Sequence, residues 1–400
     1  MKSKYVVLGA GRQGTAIAYD LACFGEASAI QIFDQDQRLA QKSARRVNQL
    51  SDSEITSGSL LDVGDRSELS NVLKGIDVCV SAVPYKFNAS LTESAIQAGA
   101  HFCDLGGNTD IVREQIGMAS AAKKAGVSVV PDCGLAPGMA NSLALYILER
   151  LNSINAAPRQ IKMYCGGLPQ NPQPPLGYQM LFSMDGLINE YDSLVYSLRN
   201  GKVRELEPLT ELEAVEFPLP IGRCEAFLTS GGTSTAPWRY EKSLQAYEYK
   251  TVRYPGHCEK IKAIRDLGMW ESGQTSIRGT KVAPRVVFAH MAGSRLEFPD
   301  ARDLVVLRVQ GIGEEKKSKR PIKIQLDLID YFDPVTGFTA MERTTGFPTA
   351  IVAILQAQGA IKPGANPPDP SVPAKPFVAA LLERGFDLRE TVERPLNLKD

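Results

Sequence analysis

The stretch YKTVRYPGHCEK, residues 249–260, gathers a guanidinium, two ammonium groups, two phenols and an imidazole. His257 is one of only three histidines in 400 residues. LQAYEYKTVRY alternates, so Tyr247, Tyr249, Thr251 and Arg253 share one face of a strand, and Glu248, Lys250 and Val252 share the other. Pro255-Gly256 ends that strand. A helix then begins, with Cys258, Ile261, Ile264 and Leu267 as its expected buried stripe. His257 therefore stands at a helix N-terminus, whose positive end disfavours an imidazolium. Arg253 and Lys260 push the same way. A neutral, positioned imidazole is what a general base needs, and such groups contribute ~10²–10⁴-fold. The plainer alternative is that His257 closes the turn by hydrogen bonding.

A second constellation lies at the start of the chain. YVVLGAGRQGTAIAYDLACFG reads as strand, tight turn and helix, with Gly9, Gly11 and Gly14 in G-x-G-x-x-G spacing. Glycines suit a turn where a pyrophosphate must approach bare backbone, and the helix N-terminus offers free N–H groups. Arg12 and Gln13 lie inside this turn. A second strand runs from Ala29 to Phe33, and Asp34 ends it, 20 residues after Gly14. An acid there accepts hydrogen bonds from an adenosine ribose and repels a 2′-phosphate, so NAD is expected over NADP, although Arg12 could meet such a phosphate. The alternative is a structural glycine turn with Asp34 as a loop acid.

These residues need a scaffold, and the first 133 residues supply a repeating one. Strand-like runs (DVCVSAVP, HFCDL, VSVVPD) alternate with helical segments near 37–49, 66–73, 88–97 and 111–125. This rhythm predicts a Rossmann-type α/β fold with a doubly wound parallel sheet. Ligands in such sheets lie beyond the C-terminal strand ends. The turns SAVPYKFN, DLGGNTD and PDCGLAPGMAN are therefore candidate site loops, and Ala82, Val83 and Pro84 are candidate cofactor contacts. After Leu151 the runs QIKMYCGGLP, CEAFLTSGG, LQAYEYKTVRY, DLVVLRVQG and PIKIQLDLIDYF lack short crossover helices. They predict a second, α+β domain with a mixed or largely antiparallel sheet. From Thr344 a helix, a proline-rich loop over 362–376 expected to lie extended on the surface, and a final amphipathic segment follow.

The 45 basic and 45 acidic residues cancel, which argues against a nucleic-acid or membrane-surface partner. KKSKR, Lys316 to Arg320, is expected to be a solvated hairpin tip. Seven scattered cysteines show no C-x-x-C, so a reduced, cytoplasmic chain without a metal site is expected. MKSKYVVLGAG contains no apolar run long enough for a signal peptide.

GAGRQG, DLGGNTD, PDCGLAPGMAN, GGLPQNPQPPLGY, FSMDGLINEY, EAFLTSGGTST, YKTVRYPGHCEK and RTTGFPTAIVA occur in an order that resembles the saccharopine dehydrogenase-like family, closest to its lysine 6-dehydrogenase branch. The resemblance covers roughly residues 5 to 390. It implies a Rossmann domain split in sequence (1–133 plus 345–400) and an inserted substrate-binding and dimerisation domain (134–344). It also implies a homodimer and a small amino-acid substrate. The expected reaction is NAD-dependent oxidative deamination, with L-lysine giving 2-aminoadipate 6-semialdehyde and ammonia. Saccharopine or carboxyspermidine dehydrogenases, and a non-catalytic NAD-binding protein, are the alternatives. DLGG departs from the Asp-x-Ser-Tyr pattern of the saccharopine branch. On this reading His257 deprotonates water, and Asp104, Asp132 or Tyr178 takes the substrate amine's proton. Arg253 or the Gly231-Gly232-Thr233 backbone holds the carboxylate, and Glu225 or Asp185 holds the α-amine.

Overall fold

The structure is a computed structural model that describes residues 2–298 and 302–394. Tyr5–Leu8 is a run of apolar side chains at most 1% exposed, so it forms the middle of a sheet covered on both faces. This strand, β1 (Ser3–Leu8), leads through the glycine turn into α1 (Arg12–Phe24). The strands β2 (Ala27–Asp34), β3 (Thr56–Leu60), β4 (Val78–Ser81), β5 (His101–Asp104) and β6 (Ser128–Val130) follow. Together with Gly364–Ala365 they make a seven-stranded sheet. Its order is Gly364–Ala365, β6, β5, β4, β1, β2, β3, and every pairing is parallel. The order reverses between β1 and β4, and the glycine turn lies at that switch point, where dinucleotides bind.

The second lobe is a nine-stranded mixed sheet. Its main path runs Glu213–Glu216, Arg223–Leu228, Ala246–Arg253, Ala156–Pro169, Asp303–Glu315, Pro321–Tyr331 and Leu388–Glu393. Only the Ala246–Arg253 and Ala156–Pro169 strands of this path pair in parallel. Lys316–Arg320 forms the exposed turn between two long antiparallel strands.

Two later segments tie the chain together. The Ala340–Ala357 helix opens with a capping box between Thr339 and Glu342 and returns to pack on α1. Gly346 lets it approach closely, because a side chain there would press on Ala16. The proline-rich loop departs from the expected surface path. Gly364–Ala365 extends the first sheet beside β6, and Pro368 and Asp369 are buried. The last strand, Leu388–Glu393, joins the second sheet, not the first.

Candidate active site

The glycine turn is built for an anion. Gly9 has φ +102° and lies under Ala82, whose carbonyl leaves no room for a side chain. A side chain at Gly14 would strike the Gly9 carbonyl, so that position must be bare for the turn to close. Gly11 has nothing within 4 Å of where a side chain would stand, which leaves its backbone open to a ligand. No side chain caps α1, so its first N–H groups are available for a phosphate. Asp34 ends β2, accepting from the Ala10 N–H (2.8 Å) and the Asp36 N–H (3.0 Å). Arg12 is exposed, and the Gln13 amide donates to the Met341 carbonyl (3.4 Å). Ala82 and Val83 are half-buried and Pro84 exposed just beyond β4, beside Gly9. This cradle fits the diphosphate and ribose of a nicotinamide dinucleotide.

Asp132 follows β6 with a left-handed backbone (φ 62°) and is 2% exposed. Its Oδ2 accepts the hydroxyl proton of Ser234, which belongs to the second lobe. Its Oδ1 is buried and has no hydrogen-bond partner among the described residues. Burial raises its pKa to about 7, Ser234 opposes the rise, and the Asp104 charge adds to it. Asp104 is placed differently from the expected proton acceptor. Its Oδ1 takes the N–H groups of Gly106 (2.7 Å) and Asp132 (3.2 Å), and Oδ2 takes the Gln115 amide (2.7 Å). Both its oxygens are spent on shaping the turns after β5 and β6.

A continuous hydrogen-bonded chain organises the second lobe. Arg253, 3% exposed, donates from Nε to the Tyr191 hydroxyl (2.8 Å) and from Nη1 to the Val252 carbonyl (2.9 Å). His257 Nδ1 is 3.1 Å from the Leu176 carbonyl, so it carries the proton. Nε2 then accepts from the Tyr191 hydroxyl at 3.1 Å. Tyr178, Tyr191 and Phe227 surround the imidazole, with centroids 5.5, 5.8 and 6.4 Å away. Trp270 stacks on Tyr191 at 6.2 Å. Burial first, and the Arg253 guanidinium second, push the His257 pKa down to about 3, so the ring is neutral.

Several expectations are corrected by this geometry. His257 is 1% exposed with both ring nitrogens engaged, so it does not face a water as a free base. Its neutrality comes chiefly from burial, where the sequence pointed to the helix dipole. Tyr178 is no proton acceptor, because burial drives its pKa far upward and it keeps its proton. Leu267 is 76% exposed, since the helix stops at Asp266 before its stripe reaches that residue. Glu225 does not hold an amine. Its two oxygens accept the Gly256 N–H (2.8 Å) and the Cys258 N–H (2.6 Å), fixing the start of the helix that carries His257. The Asp185 side chain is 80% exposed beside Arg285. Gly232 lies against the Tyr249 ring, and Gly231 is at φ +90° in the same turn. The Thr233 hydroxyl donates to the Tyr196 carbonyl (2.9 Å), and the loop meets Asp132 through Ser234.

Tyr191, Glu190, Ser234 and Trp270 are the participants that sequence reasoning missed. NEYD ends its helix with no motif spacing, and only three-dimensional pairing brings Glu190 and Tyr191 to Arg253. Met341 connects the two lobes. Its backbone carbonyl takes the Gln13 amide of the glycine turn, and its side chain and Leu181 fill the space left by Gly167. Leu181 belongs to the apolar cluster of Tyr178, Tyr191 and Trp270.

A parallel sheet with a dinucleotide cradle at its switch point, joined at its C-terminal edge to a mixed-sheet lobe, defines a two-lobed nicotinamide-dependent oxidoreductase. Residues 5–130 match the saccharopine dehydrogenase NADP binding domain, and residues 134–386 match the saccharopine dehydrogenase C-terminal domain. The chain belongs to the saccharopine dehydrogenase family. It is 23% identical over 403 residues to the saccharopine dehydrogenase [NADP(+), L-glutamate-forming] of Schizosaccharomyces pombe, covering 83% of this chain and 88% of that one. It is 20% identical over 418 residues to the carboxyaminopropylagmatine dehydrogenase of Synechocystis sp., covering both chains fully. Among solved structures, the apo saccharopine dehydrogenase (L-Glu forming) of Saccharomyces cerevisiae superposes with a TM-score of 0.78 at 21% identity, over 98% of this chain and all of the other. Among the described residues no helix is long and apolar enough to cross a membrane.

Proposed function

We propose that this chain oxidises a carbon–nitrogen bond of an amino-acid amine, and that its substrate is L-lysine, converted at the terminal amine to 2-aminoadipate 6-semialdehyde with release of ammonia. The observation that carries the reading is Asp132, a buried carboxylate with one free oxygen and a pKa near 7, just beyond β6 where the two lobes meet. An ammonium group must lose a proton before its carbon can give up hydride. Asp132 Oδ1 takes that proton, and Ser234 holds the carboxylate in place. Gly9, Gly11, Gly14 and Asp34 would hold the dinucleotide, which would supply the hydride acceptor. Loss of hydride leaves an iminium on the substrate. Water adds to it, and the added oxygen gives up one proton to solvent. The resulting carbinolamine expels ammonia.

The reading favours NAD, because the Asp34 carboxylate repels a 2′-phosphate, while Arg12 in the turn is the residue that would favour NADP. A second reading, oxidation of a secondary amine of the saccharopine or carboxyspermidine kind, is supported by the names of the relatives above. The proposed homodimer through the second lobe is checked by light scattering. Absorbance at 340 nm with NAD and NADP, against lysine, saccharopine and diamines, separates the chemical readings. Lysine-dependent NADH with stoichiometric ammonia supports the first, and saccharopine-only turnover supports the second. Tight NAD binding with no amine oxidised leaves a non-catalytic binding protein. Asp132→Asn is expected to lower kcat ~10²–10⁴-fold and to remove the rise of rate with pH near 7.

A further inference from the structure

Glu190 stands beside the buried guanidinium with part of its hydrogen-bonding capacity unused. Its Oε1 accepts the Thr251 hydroxyl at 2.6 Å and, at 3.5 Å, that of Thr229, and lies 3.8 Å from Arg253 Nη2, too far for a hydrogen bond. Its Oε2 accepts no hydrogen bond among the described residues, and its side chain is only 19% exposed. Arg253 has spent Nε and Nη1 within the protein, and Nη2 makes no hydrogen bond among the described residues. In the same cluster the Tyr178 O–H and the Trp270 indole N–H are buried donors that find no acceptor among the described residues. Tyr178 lies under the guanidinium, 5.0 Å from its centre to the ring. Buried polar groups are normally satisfied, so two orphan donors and an incomplete ion pair in one cluster describe a ligand's complement.

We propose that Glu190 and Arg253 divide a free α-amino-acid head group between them. Glu190 Oε2 accepts from the α-ammonium, and Arg253 Nη2 donates to the α-carboxylate with the Tyr178 O–H and Trp270 N–H. Glu190 thereby makes the site selective for ligands whose α-nitrogen is free and charged. The proposal rests on the amine-oxidation reading only for its choice of ligand.

The test uses the two tryptophans of the chain. In a Trp238→Phe background, Trp270 is the sole indole, and its emission reports binding without turnover. Titration with L-lysine and with 6-aminohexanoate, which lacks only the α-amine, gives the preference for a charged α-nitrogen. The background protein is expected to prefer lysine by about 10- to 100-fold. Glu190→Gln should reduce the ratio to near one, chiefly by weakening lysine, and Glu190→Asp, which keeps the charge, should keep part of it. Trp270→Phe should weaken both carboxylate ligands in the catalytic assay and leave cadaverine, which has no carboxylate, unaffected. An unchanged ratio in Glu190→Gln, or equal binding of the two ligands before mutation, overturns the proposal. Glu190-dependent lysine binding with no NADH formed would sink the oxidation reading and leave this assignment standing.

Discussion

At the scale of single residues, Tyr191 joins the two ends of the buried hydrogen-bonded chain in the second lobe. Its oxygen accepts from Arg253 and its proton goes to His257, so it couples a permanent cation to a neutral base. Tyr191→Phe removes both hydrogen bonds and keeps the ring packing. It should cost ~10²-fold or more in kcat while leaving the dinucleotide Kd, measured by fluorescence, within twofold. His257→Asn should act in the same direction, and the double variant should lose little beyond the single ones, because the two residues work as one unit. An additive double loss would show that they act separately. His257 was legible as a chemically unusual residue from its scarcity and its place after Pro-Gly. Its burial was not, because the residues that bury it (Tyr178, Tyr191, Phe227) come from distant segments. Asp132 was legible only as one of three candidates. Its free oxygen and its Ser234 partner appear once the two lobes are placed together.

At the scale of elements, the helix His257–Asp266 is held from outside its own sequence. Gly256 at φ +85° has no capping side chain, and Glu225 on a neighbouring strand satisfies the first N–H groups in its stead. Glu225→Gln keeps one acceptor and loses the charge that complements the helix N-terminus. It should lower stability by about 1–2 kcal/mol in urea unfolding and weaken kcat with it, since the same helix sets the His257 ring. If Glu225→Gln melts like the unmodified chain, this account of the helix start is wrong. The alternating strands and the glycine turn could be read from local pattern because their periodicities are short-ranged. The fate of residues 362–376 could not. Their composition suggests an exposed extended segment, yet pairing with Ser128–Val129 decides the outcome. The role of Glu225 was hidden for the same reason, as cross-strand register sets it opposite Arg253.

For the whole molecule, buried carboxylates make folding depend on pH. Asp132 and Asp369 are both buried, and burial raises each pKa to about 7 from 3.8. A folded-state pKa above the unfolded value means that the native state binds the proton more tightly. These two groups therefore add stability at low pH, and that contribution fades as pH rises from about 4 through about 7. His257 works oppositely, because its pKa falls to about 3, so stability is lost as pH drops below 6.5. The double variant Asp132→Asn/Asp369→Asn should shift the difference in Tm between pH 5 and pH 8 in favour of pH 8, as followed by circular dichroism. No change in that difference would remove the two aspartates from the account. The order of the strands carries a separate consequence. Among the described residues, the first strand, Ser3–Leu8, lies in the first sheet and the last, Leu388–Glu393, in the second. A donor dye at Lys2 and an acceptor dye at Glu393 would thus ride on opposite sheets, and their energy transfer would give a direct optical gauge of any change in the separation of the two when a ligand is added.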